Sequence, residues 1–111
     1  MTTRKGQRRK ASAPASVPHR PTLLAWLKKT ENAAAYVEEA IGEGDPAFLL
    51  QALRDIAEAH GGVARIAEKT GLNREALYRT LSSRGNPQLK SLTAILDATG
   101  LRLSVTARKA A

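Results

Sequence analysis

The 111 residues suffice for one small domain, and the absence of cysteine excludes a disulfide framework, a thiolate metal site and a cysteine nucleophile. Because no base, nucleophile or metal-ligand constellation is visible and no apolar run could span a membrane, we expect a cytoplasmic protein, not an enzyme, without cofactor, metal or small-molecule substrate. The net charge of +8 is uneven: residues 1–20 carry six basic and no acidic residues, 21–60 three basic and seven acidic, and 61–111 nine basic and three acidic. This order indicates at least two kinds of partner, one of them polyanionic.

Residues 1–20 are rich in Arg, Lys, Ser, Ala and Pro and contain almost no large apolar side chain. Such a segment cannot bury enough surface to offset the entropy lost on ordering, so we predict a disordered basic arm. Two roles stay open for this arm. It either contacts DNA phosphates or is a solubilising leader with no binding role.

Residues 21–60 are predicted to form the N-terminal helices. Thr30 suits the N-cap of a first helix, whose apolar residues recur at helical spacing until Gly42 and Gly44 end it. Asp45 and Pro46 then predict the start of another helix, since Asp caps helices and proline suits their first position. A glycine pair ends that second helix.

Residues 61–107 are predicted to form the next region, in which two short helices meet through the turn "TGL". Two helices joined by a tight turn containing glycine are typical of a helix-turn-helix. Gly71 can adopt the left-handed conformation that this turn requires. Leu72 would fill the core beneath the turn, and Asn73 would cap the second helix by accepting hydrogen bonds from its free amides.

The second of these helices carries Arg74, Glu75 and Arg79 on its outward face when it is wound at 3.6 residues per turn. Arg can donate two hydrogen bonds to guanine and Glu can accept one from cytosine, which is the chemistry of a recognition helix in the major groove. From the pattern alone, a solvated face on an ordinary helical bundle is nearly as good an explanation.

A last helix is predicted over "QLKSLTAILDATG", and the alternating "LRLSVTA" that follows predicts a strand. A lone strand is not stable, so it either packs locally or pairs with its copy in a second chain. The expected fold class is therefore all-α: a small bundle of about five helices with a Cro/C1-like helix-turn-helix and a short C-terminal β-strand.

The chain resembles known families over most of its length. From Gly62 to Leu101 it resembles the Cro/C1-type (XRE) helix-turn-helix. From Leu27 to Val105 it closely resembles the probable addiction-module antidote proteins, HigA-like antitoxins of type II toxin–antitoxin pairs, through "AAAYVEEAIGEGDP", "ALRDIAEAHGG", "TGLNREALYRTLS", "GNP" and "LRLSV". The basic arm is longer than is usual for that family. The resemblance implies a DNA-binding antitoxin that represses its own operon and neutralises a small RelE/ParE-like toxin.

The resemblance also implies roles for individual residues. It places Arg74, Glu75 and Arg79 where base contacts are made. A larger set is expected to contact the DNA backbone, either through side chains or, at the start of a helix, through free amides: Gly62, Asn73, Tyr78, Arg84, Asn86 and Lys90. Two other classes stay open, namely a solitary phage-type XRE regulator without a toxin and a pure protein-interaction module that reads no DNA.

The acidic stretch 31–58 offers a reason to assign the toxin surface. An RNA-cleaving toxin is expected to be basic, so its neutralising partner should present acid. The expected toxin-binding residues are Glu31, Glu38, Glu39 and Glu43, and the alternative is that they are solvated faces of ordinary helices. A homodimer is also expected, since a helix-turn-helix of this type reads a palindrome with two copies about one DNA turn apart.

Overall fold

A computed structural model describes residues 19–82 and 86–108, and these residues form six helices and no strand. The helices are α1 Arg20–Leu27, α2 Thr30–Glu43, α3 Pro46–Ala59, α4 Val63–Thr70, α5 Arg74–Thr80 and α6 Leu89–Ala98. The predicted all-helical bundle is confirmed, with one helix more than the approximate count of five. The predicted basic arm lies outside the described residues as far as residue 18, and its last residue, Arg20, begins α1.

Helix α1 is the element that the sequence pattern did not reveal. Pro21 lies in its first turn, where the missing N–H removes no helical hydrogen bond. Leu23 and Leu27 are buried, and they pack in one apolar cluster with residues of α2 and α3. The order of α1 therefore depends on burial against α2 and α3, which no local pattern in the sequence records.

The hairpin of α2 and α3 is built largely as its capping residues predict. The Asp45 carboxylate accepts a hydrogen bond from the Ala47 amide at 3.0 Å, and Pro46 is the first residue of α3. Helix α2 differs at its start: Lys29 occupies the N-cap position and Thr30 is already helical, without a side-chain cap. The predicted capping role of Thr30 is therefore wrong. The prediction that Gly42 helps to end this helix is also wrong, since Gly42 lies within α2 and the helix ends at Gly44 with φ 76°.

Two buried apolar clusters share helix α3. The first, the N-terminal cluster, contains Leu23, Leu27, Ala33, Val37, Ile56 and Ala59. The second, the C-terminal cluster, contains Leu53, Ala57, Ile66, Ala67, Leu77, Leu81, Ile95 and Leu96. Leu49 and Leu101 pack against both clusters. Helix α3 therefore lies between α1 and α2 on one side and α4 to α6 on the other, and burial of both its faces joins the two regions.

The C-terminal segment, residues 101–108, does not form the predicted strand within the single chain. Its one backbone hydrogen bond to the described residues is from the Leu101 amide to the Leu96 carbonyl, at 2.8 Å. A strand needs a hydrogen-bonded neighbour, and no other described segment provides one. The segment instead follows Gly100 and passes beside α2, where both line a groove.

Candidate nucleic-acid interface and partner surface

The turn between α4 and α5 consists of Gly71, Leu72 and Asn73. Gly71 has φ 76°, the left-handed conformation that the turn requires and that the sequence predicts. The Thr70 hydroxyl donates to the Ile66 carbonyl at 2.8 Å and accepts from the Leu72 amide at 3.2 Å. These bonds fix the turn, and the Leu72 side chain packs against the C-terminal cluster as expected.

Helix α5 is held at its start by a side-chain cap and along its inner face by the core. The Asn73 side-chain oxygen accepts a hydrogen bond from the Ala76 amide at 2.8 Å, as the sequence predicts. Leu77 is 1% exposed and Leu81 is 2% exposed, so both lie in the C-terminal cluster. Burial of this side fixes which residues of the helix face solvent.

The outward face of α5 carries Arg74, Glu75, Tyr78 and Arg79, all of them exposed. None of these four side chains forms a hydrogen bond or an ion pair with another residue of the described ranges. Two guanidinium groups and one carboxylate on a single exposed face therefore keep their full hydrogen-bonding capacity for a ligand.

The expected DNA-backbone residues lie at several helix starts. Gly62 is the N-cap of α4, and no side chain caps that helix. Asn86 and Lys90 are exposed, just before and within the first turn of α6. Arg84 lies outside the described residues. The Gly62 amide itself donates to the Ala57 carbonyl at 2.8 Å. The free donors at these helix starts are therefore the amides that the first turns leave unpaired, together with the side chains of Asn73, Asn86 and Lys90.

Arg54 is a positioning residue that sequence reasoning missed. It lies on α3, where its guanidinium donates to the Leu81 carbonyl at the end of α5 and to the Gln51 side-chain oxygen at 2.6 Å. A cation at a helix C-terminus satisfies a free carbonyl and is favoured by the helix dipole. Its only sequence signal is that it is one of three basic residues in residues 21–60, which are acidic on balance, and this does not connect it with α5.

A buried polar network joins α1, α2 and α3 around Asp55, which is 2% exposed. Its carboxylate accepts hydrogen bonds from Tyr36 at 2.7 Å, Arg20 at 2.8 Å and Gln51 at 2.9 Å, and Arg20 also donates to Glu58 at 2.6 Å. Burial and the bond to Asp55 raise the pKa of Tyr36, and the bonds to Glu58 and Asp55 raise the pKa of Arg20. Both groups therefore remain donors at neutral pH.

The four acids expected to bind a toxin are all exposed on α2 but do not form one patch. Glu31 and Glu38 line the groove beside the C-terminal segment. Glu39 and Glu43, one turn apart, share a different face, since Glu39 is rotated by about 100° from Glu38. Near Glu43, beyond the turn into α3, the Phe48 side chain is 52% exposed.

His60 is a partly buried titratable group between the two regions. It is the C-cap of α3, and its Nε2 atom is buried without a hydrogen-bond partner in the described residues. Burial, together with the positive charges of Lys69 and Lys28, lowers the pKa of His60. Its neutral form is therefore favoured in the folded protein.

Residues 19–82 and 86–108 contain neither a candidate membrane span nor a candidate metal site. None of their helices has the length and apolar character needed to cross a membrane. The same ranges contain no group of three His, Asp or Glu side chains placed to hold a metal ion.

Comparison with known proteins identifies the family. A family model described as "Probable addiction module antidote protein" matches residues 21–107. An uncharacterised protein of Haemophilus influenzae is 34% identical over 79 residues, which cover 71% of this chain and 80% of that protein. No solved structure matches the chain. On the family model and this relative, the chain belongs to the family of probable addiction module antidote proteins.

Proposed function

We propose that this protein is an antitoxin that represses its own operon through α4 and α5 and neutralises a small RelE/ParE-like toxin by direct binding. Its family is one of addiction-module antidotes and not of enzymes, and an antidote implies a cognate toxin. The observation that carries the DNA-binding part is the exposed face of α5, on which Arg74, Glu75 and Arg79 have no partner among the described residues.

The proposal treats α4 and α5 as an XRE-type helix-turn-helix of the kind found in HigA-like antitoxins. Arg74 and Arg79 would each donate to base edges in the major groove, and Glu75 would accept from them. A second set would hold the DNA backbone: Gly62, Asn73, Tyr78, Arg84, Asn86 and Lys90. Because backbone contacts carry no sequence information, only the first set would determine the operator sequence.

The proposed toxin surface is the end of α2 together with the start of α3. Glu39 and Glu43 supply negative charge on one exposed face, and Phe48 supplies a half-exposed aromatic side chain close by in the sequence. An aromatic anchor beside charged residues is typical of a strong protein interface. Acidic groups would also accelerate encounter with a basic toxin.

Co-purification tests the antitoxin part. The chain is expressed beside its neighbouring small open reading frame, with a tag on only one of the two. A stoichiometric complex that restores growth against the neighbour's toxicity is expected. The double variant Glu39→Lys/Glu43→Lys should lose both the complex and the rescue of growth. The control Glu68→Lys, which changes an exposed acidic residue of α4, should keep both. No complex and no toxicity would leave a solitary XRE regulator.

A gel shift with the DNA upstream of the chain's own gene tests the repressor part. The wild-type protein should bind this DNA more tightly than random DNA of equal length. Charge reversal of Arg74 and Arg79 together should remove that preference without unfolding the protein, because both side chains are exposed. Equal binding by the wild type and the reversed variant would favour a protein-interaction module that reads no DNA.

A further inference from the structure

We propose that Gln51 is a positioning residue that couples the docking of α1 on α3 to the placement of the end of α5. A continuous series of hydrogen bonds, the polar relay, runs from Arg20 through Asp55, Gln51 and Arg54 to the Leu81 carbonyl. The relay crosses from the α1–α3 region to α5 along helix α3. Its importance for DNA binding rests on the proposed function, in which α5 is the recognition helix.

Gln51 joins the two halves of the relay within α3. Arg54 and Asp55 follow it by three and four residues, the spacing at which side chains of one helix meet. The Gln51 amide nitrogen donates to the Asp55 carboxylate at 2.9 Å, and the amide oxygen accepts from the Arg54 guanidinium at 2.6 Å. The reversed amide would set oxygen against carboxylate and N–H groups against guanidinium, so it would satisfy neither partner. One amide orientation therefore serves both partners, and displacement of either partner disturbs the other.

The first half of the relay depends on the docking of α1. Arg20, the first residue of α1, donates at 2.8 Å to the same Asp55 oxygen, Oδ1, that accepts from Gln51. Tyr36 of α2 donates to the other oxygen, Oδ2, at 2.7 Å. When Arg20 withdraws, Gln51 is left as the donor to Oδ1, so the carboxylate and the Gln51 amide readjust together. The orientation of Gln51 therefore follows the position of α1.

The second half of the relay ends on the last turn of α5. The Arg54 guanidinium donates to the carbonyl of Leu81, which is the C-cap residue of α5. The Leu81 side chain is 2% exposed and belongs to the C-terminal cluster. Leu81 is thus held on α3 through its backbone and in the core through its side chain. Because α5 has only seven residues, a shift at Leu81 also displaces the outward Arg79, two residues earlier.

Gln51 itself contributes little to the packing of the protein. It is exposed and lies in neither apolar cluster. Its substitution therefore leaves both clusters intact, and the role assigned to it is coupling. Coupling of this kind appears as non-additivity between substitutions at the two ends of the relay.

Amide hydrogen exchange of the chain alone, followed by NMR, tests this coupling. Arg20→Met frees one oxygen of Asp55 and should accelerate exchange of the Leu81 and Ser82 amides about threefold, part of the free energy of one hydrogen bond. Glu58→Ala is the matched control, because it removes the other partner of Arg20, which forms no hydrogen bond with Gln51. It should leave both rates unchanged. The amides of α6 are the internal reference, since a general loss of stability would accelerate them as well.

Two variants of Gln51 each break one side of the relay. Gln51→Lys keeps a donor for Asp55 but presents a cation to Arg54. Gln51→Glu keeps an acceptor for Arg54 but presents a carboxylate to Asp55. In both variants Arg20→Met should no longer change the exchange of the Leu81 and Ser82 amides. If Arg20→Met has no effect in the wild type, or the same effect in either Gln51 variant, the proposal is wrong.

Tyr36→Phe provides a second, milder change at the same end of the relay, because it removes only the donor to Oδ2 of Asp55. It should accelerate the same two amides in the wild type and should leave them unchanged in Gln51→Lys. An equal acceleration in both backgrounds would overturn the proposal even if Arg20→Met does not fold.

Gel shifts with the DNA upstream of the chain's own gene extend the test to binding. Arg20→Met should weaken binding about threefold in the wild type and should have no further effect in Gln51→Lys. If the exchange rates are coupled but the wild type shows no preference for this DNA, the proposed function fails and the role of Gln51 stands. If the wild type prefers this DNA but the exchange rates are not coupled, Gln51 has no positioning role and the proposed function stands.

Discussion

Adjacent residues of α3 serve different regions of the molecule. Arg54 donates to the end of α5, whereas Asp55 accepts from Arg20 and Tyr36 in α1 and α2. Successive helical residues project about 100° apart, so one central helix can reach both sides. The two sides also differ in charge, since residues 21–60 are acidic on balance and residues 61–111 are basic.

The two regions are stabilised by different means. The α1–α3 region combines its apolar cluster with a charged network on a buried carboxylate. The α4–α6 region relies on a larger apolar cluster, a capped α5 and short polar bonds at its turns. We therefore expect charge changes at Asp55 to affect folding and charge changes on α5 to affect binding alone.

The largest effect is expected for Asp55→Ala, which removes the shared acceptor of three side chains. Loss of charged hydrogen bonds and of the buried partner of Arg20 and Tyr36 should cost about 3 kcal/mol of unfolding free energy. Urea unfolding of the variant and the wild type measures this loss. Glu58→Ala is the matched control, since Glu58 is an exposed partner of the same arginine, and should cost less than about 1 kcal/mol. Equal losses would show that the buried carboxylate of Asp55 adds no more to stability than the exposed carboxylate of Glu58.

Arg79→Ala tests the other region. If Arg79 contacts a base, its loss should cost about 2 kcal/mol of operator affinity and relax the sequence preference at one position. Lys90→Ala, at a proposed phosphate contact, should weaken binding to operator and random DNA alike. Gel shifts with both DNAs compare the variants, and urea unfolding should show unchanged stability for each. If Arg79→Ala lost the same affinity for operator and random DNA, α5 would not be the recognition helix.

Gly100→Ala tests the contact that joins the C-terminal segment to α2. The left-handed φ of 85° and the 2.9 Å approach to the Thr30 methyl group should together cost about 1.5 kcal/mol. The double variant Gly100→Ala/Thr30→Ser lacks the Thr30 methyl group. It should regain the part of the lost stability that comes from the steric contact, but not the part that comes from the left-handed backbone. Gly42→Ala is the control, because nothing lies within 4 Å of its Cβ position inside α2, and it should stabilise by about 0.5 kcal/mol. Thermal unfolding compares all three proteins.

Arg54→Met tests whether α3 positions α5 across the two regions. Methionine keeps much of the side-chain volume but removes the donor to the Leu81 carbonyl. Operator affinity should fall by about 1 kcal/mol, the order of a single hydrogen bond. The salt dependence of binding should not change, because Arg54 is not proposed to contact phosphate. A flatter salt dependence would mean that Arg54 touches the DNA directly.

Local signals in the sequence identified much of this fold. Asp45-Pro46, Gly71 and Asn73 act through neighbours within a few residues, so their roles in α3 and α5 could be predicted. Helix α1 was missed because its order depends on burial against α2 and α3, which no local pattern records. The predicted strand did not form for a related reason, since no described segment offers residues 101–108 a ladder of backbone hydrogen bonds.

The candidate sites show the same limit. The exposed face of α5 follows from helical periodicity, and the structure leaves Arg74 and Arg79 exposed on it. The charge pattern predicted one acidic surface from seven acidic residues in residues 31–58. In the structure Asp55 is buried, and Glu38 lines the groove beside the C-terminal segment while Glu39 does not. Arg54 could not be connected with α5, because the contact joins residues 27 positions apart. The composition of a segment predicts the sign of its charge, whereas the packing of the helices determines which of its residues lie on the same surface.

The smallest effect is expected at His60, which lies where the two regions meet. Burial and the charges of Lys69 and Lys28 lower its pKa in the folded chain. Below its unfolded value of about 6.5, the unfolded chain binds a proton more readily than the folded chain, so stability falls as the pH falls. His60→Asn should therefore lose less stability than the wild type between pH 7 and pH 5, as measured by urea unfolding. A wild-type slope in His60→Asn would place the acid sensitivity in another part of the molecule.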